Sequence, residues 1–234
     1  MLTFMNPDIA KRAAGQKAST FVEDGMIIGL GTGTTSFYFI EALIQKCKQG
    51  MRIKTAASSD RSAKLAREGG LPVFDINDLS HIDLTVDGAD EIDPKKRMIK
   101  GGGGAHVRER ILAASSAEMI VIVDESKLVS SIGHTKLPVE ILPYGSIFTA
   151  KKIEHLGFSG KWRCCDNSTL NQELFVTENG NFLFDIYFQS PPANPEKMHE
   201  DILQIPGVVD TGFFFNMASR VIVGKSDGTT IMKV

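Results

Sequence analysis

The chain is poor in cysteine and histidine, and these shortages argue against two common ways of stabilising a fold. Its three cysteines are Cys47 and the adjacent Cys164 and Cys165, which form neither a disulfide framework nor a CxxC pair. We therefore expect buried or partly buried thiols in a reducing compartment. The five histidines do not have the spacing of metal ligands, so we predict no zinc site and no other metal site.

The chain also lacks strong charge of either sign and any long apolar run. It has 26 Lys and Arg against 28 Asp and Glu, and no long basic segment, so nucleic acid is not an expected partner. No apolar run approaches the roughly 20 residues that a membrane-spanning helix needs, and the segment from Met1 to Arg12 has no features of a secretory signal. We expect a cytoplasmic protein with no membrane partner.

What the sequence does contain, over most of its first 134 residues, is an alternation of short apolar runs with helical segments. Predicted strands lie at 26–30, 53–57, 71–74, 82–86 and 119–123. Predicted helices lie at 6–21, with Asn6 as its cap, at 37–44, and at 62–68 and 105–114. This order predicts an α/β fold, with a Rossmann-like, largely parallel sheet covered by helices on both faces.

The pattern changes near Leu137. A strand at 137–142, a helix at 146–156, a strand at 161–165, a hairpin at 175–188 with an Asn179-Gly180 turn, and a helix at 196–203 follow in order. This β-α-β-β-α order predicts a smaller α+β, ferredoxin-like domain inserted in the chain. We expect residues 1–134 and 207–234 to form the Rossmann-like catalytic domain and 135–206 the small domain.

A glycine- and threonine-rich turn links the first strand to the next helix, from Gly29 to Ser36. Such a turn directs backbone N–H groups and a helix dipole at an anion, and Thr32, Thr34 and Thr35 add hydroxyl donors. The third glycine of the dinucleotide fingerprint and the Lys of the Walker motif are both missing. A small phosphorylated ligand is therefore favoured over a nucleotide, and a purely structural turn is the alternative.

Charged residues follow two of the later strands. Asp87 and Asp90 come directly after the strand at 82–86, at the edge where open α/β sheets bind ligands. Two carboxylates there can exchange protons with a polyhydroxy substrate, and an Asx turn is the alternative interpretation. Lys127 follows the strand at 119–123, where it is either a ligand or merely solvated.

Four glycines, Gly101 to Gly104, separate Lys100 from a predicted helix. They can form an anion cradle because glycine lets a ligand approach the backbone closely, or they can be a flexible hinge. On the helix, Glu109 shares a face with Ala105 and Leu112. A carboxylate partly withdrawn from water suits a general base, and a solvated Glu in an Arg-Glu-Arg run is the alternative.

Taken together, these segments resemble the type A ribose-5-phosphate isomerases in their order and spacing. Further matches are Ser126-Lys127, the Leu-Pro-Val-Glu-Ile-Leu-Pro run at 137–143, Ile-Pro-Gly-Val-Val at 205–209 and Ser-Asp-Gly-Thr at 226–229. The resemblance covers nearly the whole chain. It implies interconversion of D-ribose 5-phosphate and D-ribulose 5-phosphate through a cis-enediol or enediolate, in the non-oxidative pentose phosphate pathway, without a cofactor and in a homodimer or dimer of dimers.

The resemblance also implies roles for individual residues. Glu109 corresponds to the proton acceptor, and Lys127 to a substrate-binding lysine. Lys11 matches a lysine near the phosphate. The other substrate-binding residues that it implies are Thr32, Gly33, Thr34, Thr35, Asp87, Gly88, Ala89, Asp90, Lys100, Gly101, Gly102 and Gly103.

For the chemistry itself, we expect Lys100 and the amides of Gly101 to Gly103 to stabilise the negative oxygen of the intermediate. We expect Asp87 and Asp90 to assist ring opening and proton movement between O1 and O2.

One residue departs from the family pattern, because His106 stands where an apolar residue is usual. A change of packing or of an interface is the favoured interpretation, and an effect on Glu109 is the alternative.

Two other functions are compatible with a related fold. A non-catalytic sugar-phosphate sensor would normally carry a DNA-binding module, and no helix-turn-helix precedes Met26. An amino-sugar-phosphate deaminase or acyl-CoA transferase is disfavoured by the pairing of Asp87-Gly-Ala-Asp90 with the Lys100 glycine run.

Overall fold

The structure, a computed structural model, describes residues 7–165 and 173–233. The chain divides into two compact units. The first contains the described residues up to Ala89, Arg108–Leu128 and the described residues from Asn216 onward. The second contains Asp90–Val107 and the described part of Val129–Phe215.

The first unit is built on one six-stranded sheet, whose strands we number in chain order. They are β1 (Ile27–Leu30), β2 (Lys54–Ala57), β3 (Ile82–Asp87), β6 (Ser116–Asp124), β12 (Arg220–Gly224) and β13 (Thr230–Lys233). Their order in the sheet is β13-β12-β6-β3-β1-β2. Only β13 runs antiparallel to its neighbour within this sheet, so the prediction of a largely parallel sheet is confirmed.

Helices cover both faces of this sheet. They are α1 (Pro7–Ser19), α2 (Thr34–Lys48), α3 (Asp60–Glu68) and α4 (His106–Ala114), the last with its final seven residues in this unit. Phe39 of α2 packs in one buried cluster with Ile28, whereas Leu112 of α4 packs in another with Ile27. Because neighbouring residues of a strand point to opposite faces, Ile27 and Ile28 bury the two sides of the sheet.

One segment of this unit that was predicted as a strand does not form one. The segment at 71–74 forms a single parallel bridge, between Val73 and Thr55. Pro72 has no N–H to donate and contributes only its carbonyl, which accepts the Thr55 N–H at 3.0 Å. The predicted cap at Asn6 lies outside the described residues.

The second unit contains a four-stranded antiparallel sheet with two helices. Its elements are β7 (Leu137–Ile141), α5 (Ser146–His155), β8 (Gly160–Trp162), β9 (Phe182–Ile186), α6 (Pro195–Leu203) and β10 (Val208–Thr211). The strand order is β10-β7-β9-β8. This β-α-β-β-α-β arrangement is ferredoxin-like, as the sequence predicts. The predicted turn also forms, with Gly180 at a φ of 78°.

A second, three-stranded sheet in this unit was not foreseen from the sequence. It consists of β4 (Glu91–Ile92), β5 (Met98–Ile99) and β11 (Phe213–Phe214), in the order β11-β5-β4.

The two compact units therefore have boundaries that differ from 1–134 with 207–234 and 135–206. Residues 208–211, which the sequence analysis assigned to the main sheet, instead supply β10, and Thr211 pairs with Val139 of β7. The physical reason is that β9 pairs with only one edge of β7. The other edge of β7 would have unpaired backbone groups without β10, which satisfies them.

The cysteine prediction holds for two of the three thiols. Cys47 and Cys164 are partly buried, and Cys165 is exposed, so the prediction is wrong for Cys165. Burial raises the pKa of the Cys47 thiol, which makes it a poor nucleophile at neutral pH. No helix within the described ranges is long and apolar enough to cross a membrane.

Gly15 of α1 packs closely against the backbone of α2, and this contact generates a stability prediction. A methyl group on Gly15 would lie 2.6 Å from the backbone nitrogen of Phe39. Ala normally stabilises a helix interior by about 1 kcal/mol relative to Gly, but overpacking costs about 1–3 kcal/mol. We expect Gly15→Ala to lower the free energy of unfolding by up to about 2 kcal/mol in urea titrations. The control is Gln16→Ala on the exposed face of α1, which should change the free energy of unfolding by less than about 0.5 kcal/mol. A Gly15→Ala variant that is more stable than wild type would contradict the close packing.

Candidate active site

The glycine- and threonine-rich turn of the first unit follows β1 and leads directly into α2. The N–H of Thr32 donates to Oδ1 of Asp87 at 2.9 Å. The Thr32 hydroxyl lies 2.8 Å from each of the Ser58 and Ser59 hydroxyls, which follow β2. Thr32 therefore joins three strand ends at the carboxyl edge of the parallel sheet, the edge predicted for ligand binding.

Asp87, at the end of β3, is 1% exposed and is held by main-chain donors. Besides the Thr32 amide, its Oδ1 accepts the N–H of Gly88 at 2.7 Å and the hydroxyl of Ser36 at 3.3 Å. Hydrogen bonds to a carboxylate are strong and directional. The orientation of Asp87 is therefore set by the turn after β1 as well as by its own strand.

Gly31 makes this arrangement possible. A Cβ at Gly31 would lie 2.0 Å from Oδ1 of Asp87, closer than any real contact. A glycine is thus required by the approach of the carboxylate, and a phosphate is not needed to explain it. This favours a structural role for the first half of the turn, which was the alternative interpretation at Gly29 to Thr32.

The second half of the turn forms the start of α2. Gly33, with a φ of 110°, caps α2 without a side-chain hydrogen bond, and Thr34 and Thr35 form the first turn of this helix. The N–H groups of a first turn have no acceptor within the helix, and the helix dipole favours negative charge there. Thr34 is exposed and Thr35 is partly exposed, so a ligand can reach both residues.

Glu109 lies in the first turn of α4 and is 5% exposed. The predicted apolar face is confirmed, since Ala105 and Leu112 are also buried. The neighbouring Arg108 reaches Asp60 at the start of α3, with 3.5 Å between the guanidinium and the carboxylate. Glu109 is therefore not the solvated residue of an Arg-Glu-Arg run.

The two further lysines of the first unit differ in their surroundings. Lys127 ends a short 3-10 helix, Glu125–Lys127, that follows β6 at the carboxyl edge of the sheet. Lys11 lies in α1 and is partly exposed. Within the described residues, no hydrogen bond or ion pair links Lys11 or Lys127 to Thr32–Thr35.

In the second unit, Lys100 follows β5 and is 2% exposed. Its backbone N–H donates to the carbonyl of Gly212 at 2.8 Å, and its Nζ lies 5.4 Å from the centroid of the Phe214 ring. A cation in this position is attracted by the face of the ring. Lys100 is thus fixed at its backbone and packed along its side chain.

Asp90 and the glycine run contact each other directly. The N–H of Gly102 donates to Oδ2 of Asp90 at 2.7 Å. The N–H of Asp90 donates to the carbonyl oxygen of Ile99 at 2.8 Å. The amide of Gly102 is therefore engaged by Asp90, and the predicted role of this amide as a donor to the substrate is revised. Gly102 is also needed sterically, because a Cβ there would lie 2.8 Å from Asp90.

His106 lies buried against the glycine run. His106 is completely buried. Gly101 adopts a φ of 95°, and a Cβ added to it would lie 2.9 Å from the Nδ1 of this histidine. His106 thus packs against the backbone of the glycine run. The packing interpretation made from the sequence is the one that this contact supports.

The sequence analysis missed Arg163, which binds the glycine run. One of its guanidinium nitrogens donates to the carbonyls of Gly101 and Gly102, each at 3.1 Å. The other nitrogens pair with the buried Asp185 of β9. No local signal marks Arg163, which lies directly after β8.

No group of three or more potential metal ligands occurs in the part of the chain that the structure describes.

Comparisons with known proteins show the family of this chain. The family model for ribose 5-phosphate isomerase A (phosphoriboisomerase A) matches residues 54–228. The ribose-5-phosphate isomerase A of Protochlamydia amoebophila is 49% identical over 225 residues, which cover 94% of both chains. That of Parvibaculum lavamentivorans is 46% identical, over 98% of this chain and 100% of the relative.

Solved structures are similar over the same extent. The ribose 5-phosphate isomerase from Plasmodium falciparum has a TM-score of 0.91 and 35% identity, covering 97% of this chain and 98% of that one. A D-ribose-5-phosphate isomerase in complex with phospho-erythronic acid has a TM-score of 0.91 and 34% identity, covering 98% of this chain and 100% of that one. Since the family model matches most of the chain and these relatives match nearly all of it, the chain belongs to the ribose 5-phosphate isomerase A family.

Proposed function

We propose that this protein interconverts D-ribose 5-phosphate and D-ribulose 5-phosphate through a cis-enediolate, as a step of the non-oxidative pentose phosphate pathway. Membership of the family supports the reaction. The structural observation that carries the proposal is the burial of Glu109, which is 5% exposed in the first turn of α4. An isomerase that works through an enediolate needs a positioned base, which a buried carboxylate can supply, and a sugar-phosphate sensor does not.

Glu109 acts as the base that removes the proton from C2 and returns it to C1. Both transfers use the same group, so one carboxylate on a rigid helix is sufficient. Positioned proton transfer contributes about 10²- to 10⁴-fold in rate, which leaves most of the acceleration to other groups.

The larger contribution comes from stabilising the oxygen that becomes negative when the proton leaves. We assign this role to the ammonium group of Lys100, together with the amides of Gly101 and Gly103. A preorganised donor in a site shielded from water contributes roughly 10²- to 10³-fold. The burial of Lys100, at 2% exposure, supports such shielding.

Asp87 and Asp90 assist ring opening and move the proton between O1 and O2. Both carboxylates accept main-chain N–H groups. Asp87 accepts those of Thr32 and Gly88, and Asp90 accepts that of Gly102. These bonds orient both carboxylates before substrate binds, so little reorganisation is needed during the reaction.

The phosphate of the sugar binds at the start of α2, to the amides and hydroxyls of Thr34 and Thr35. Thr32 belongs to the same segment, but its amide and hydroxyl serve Asp87 and the two serines after β2. We propose Lys127 as a further substrate contact, which its position after β6 supports, and Lys11 as a longer-range positive charge near the phosphate. Binding energy from the phosphate then positions C1 and C2.

Replacing Glu109 tests the base. Because Gln has the same shape but cannot accept the proton, we expect Glu109→Gln to lower kcat by about 10²- to 10⁴-fold with KM changed less than about threefold. The measurement is conversion of ribose 5-phosphate to ribulose 5-phosphate. Glu68→Gln, an exposed glutamate at the end of α3, is the control and should retain full activity. A Glu109→Gln enzyme with near wild-type kcat would remove Glu109 from this role.

Metal removal tests the cofactor-free scheme. Proton transfer by Glu109 and charge stabilisation by Lys100 require no Lewis acid, so kcat and KM should be unchanged after dialysis against EDTA. The assay is the same conversion of ribose 5-phosphate, with and without added Mg²⁺ or Zn²⁺. Loss of activity on chelation, with recovery on adding back a metal, would contradict the scheme.

Gly31→Ala tests whether the orientation of Asp87 matters for turnover. The added methyl group displaces the carboxylate, and an error of about 1 Å can cost about 10²-fold, so we expect kcat to fall by more than about 10-fold. Gly69→Ala is the matched control, because its methyl group would crowd the end of the Ile44 side chain, 2.1 Å away, and no candidate site residue. Comparable kcat values for the two variants, at comparable thermal stability, would argue against a role for the orientation of Asp87.

A further inference from the structure

We infer that Arg163, oriented by Asp185, is a positioning residue for the proposed isomerisation. It acts on Asp90 through the peptide group between Gly101 and Gly102. The inference rests on the proposed function, since it assigns to Asp90 a part in the reaction, and all five residues belong to the second unit.

The guanidinium group of Arg163 is used on two sides. Its Nε and Nη2 form a bidentate pair with the carboxylate of Asp185, with 2.9 Å between Nε and Oδ2. Its Nη1 faces the glycine run and lies 3.1 Å from the carbonyl oxygens of Gly101 and Gly102. The two side chains are 9% and 3% exposed, so the ion pair between them is well shielded from water.

A single peptide group transmits the effect of Arg163. The carbonyl of Gly101 and the N–H of Gly102 belong to the same peptide, and in a trans peptide they point in opposite directions. The described residues contain no cis peptide. This peptide therefore accepts from the Arg163 cation on one side and donates to the Asp90 carboxylate, at 2.7 Å, on the other. Hydrogen bonds in series polarise each other, and both the position and the strength of the bond to Asp90 depend on Arg163.

Neutralising Asp185 does not by itself explain Arg163. Lys136 also pairs with Asp185, with 2.5 Å between Nζ and Oδ2. The carboxylate thus has a second cation, whereas in the described part of the second unit the two glycine carbonyls are reached by no side chain other than Arg163. Only the planar fork of an arginine can hold a bidentate carboxylate and two carbonyls at once, and a lysine is a point charge. These contacts allow Arg163 to position the glycine run.

A double-mutant cycle between Arg163 and Asp90 tests the inference. The variants are Arg163→Lys, Asp90→Ala and the double variant, assayed with ribose 5-phosphate for kcat and KM. We expect Arg163→Lys to lower kcat by about 10- to 100-fold with KM within about threefold. In the Asp90→Ala background the same substitution should lower kcat by less than about threefold, because the group that Arg163 positions is absent.

The control is Arg97→Lys, which alters a comparably buried ion pair of the same unit. Arg97 Nε lies 2.6 Å from Asp93, and Arg97 has no contact with the glycine run among the described residues. This variant should keep kcat and KM within about twofold, at a similar loss of thermal stability. A purely structural role for Arg163 predicts equal behaviour of the two arginine variants.

Three results would overturn the inference. These are a kcat of Arg163→Lys within twofold of wild type, an equal loss of kcat with and without Asp90, and an effect confined to KM. If Arg163→Lys does not fold, Asp185→Asn replaces it in the cycle with the same expectation, and failure of both to fold assigns the cluster to stability alone. A wild-type enzyme without isomerase activity would instead contradict the proposed function, whatever the variants do.

Discussion

A carboxylate withdrawn from water must be satisfied by hydrogen-bond donors, and this constraint shapes much of the chain. Asp87 accepts the amides of Thr32 and Gly88, and Asp90 accepts the amide of Gly102. The same solution recurs at Glu91, whose carboxylate accepts the amides of the turn at 133–135. The buried Asp87 and Glu91 and the partly exposed Asp90 are thereby each tied to another segment of the chain. Leaving a buried charge without donors would cost several kcal/mol.

The glycines follow from the same constraint. Gly31 and Gly102 are glycines because an Asp carboxylate occupies the space that their side chains would fill, and Gly101 because His106 does so. A glycine-rich turn is usually interpreted as a cradle for an anionic ligand. Here part of each run binds a carboxylate of the protein itself. In the turn after β1, the end formed by Thr34 and Thr35 is the part that we propose for the phosphate.

The parts that could be predicted depend on local pattern. Apolar runs of strand length, the helix with Glu109 on its buried face and the Asn179-Gly180 turn all follow from spacing and from residue types. The family resemblance then supplied the roles of the site residues, and family membership is confirmed by the comparisons. What local pattern missed were pairings: β10 joins β7 of the small sheet, and β11 joins β5. The residues of an apolar strand do not specify which strand it pairs with, so the sheet that it joins cannot be predicted from those residues alone.

The sequence by itself determined the order of strands and helices, the clustering of chemical groups after strand ends and the absence of zinc-type ligand spacing. These properties depend on neighbours within a few residues. The tertiary structure alone decided which amides bind a carboxylate of the chain, as those of Thr32 and Gly102 do, and it alone placed Arg163 against the glycine run. The physical reason is that such contacts depend on the register and packing of segments far apart in the chain, where a few ångströms decide between a hydrogen bond and none.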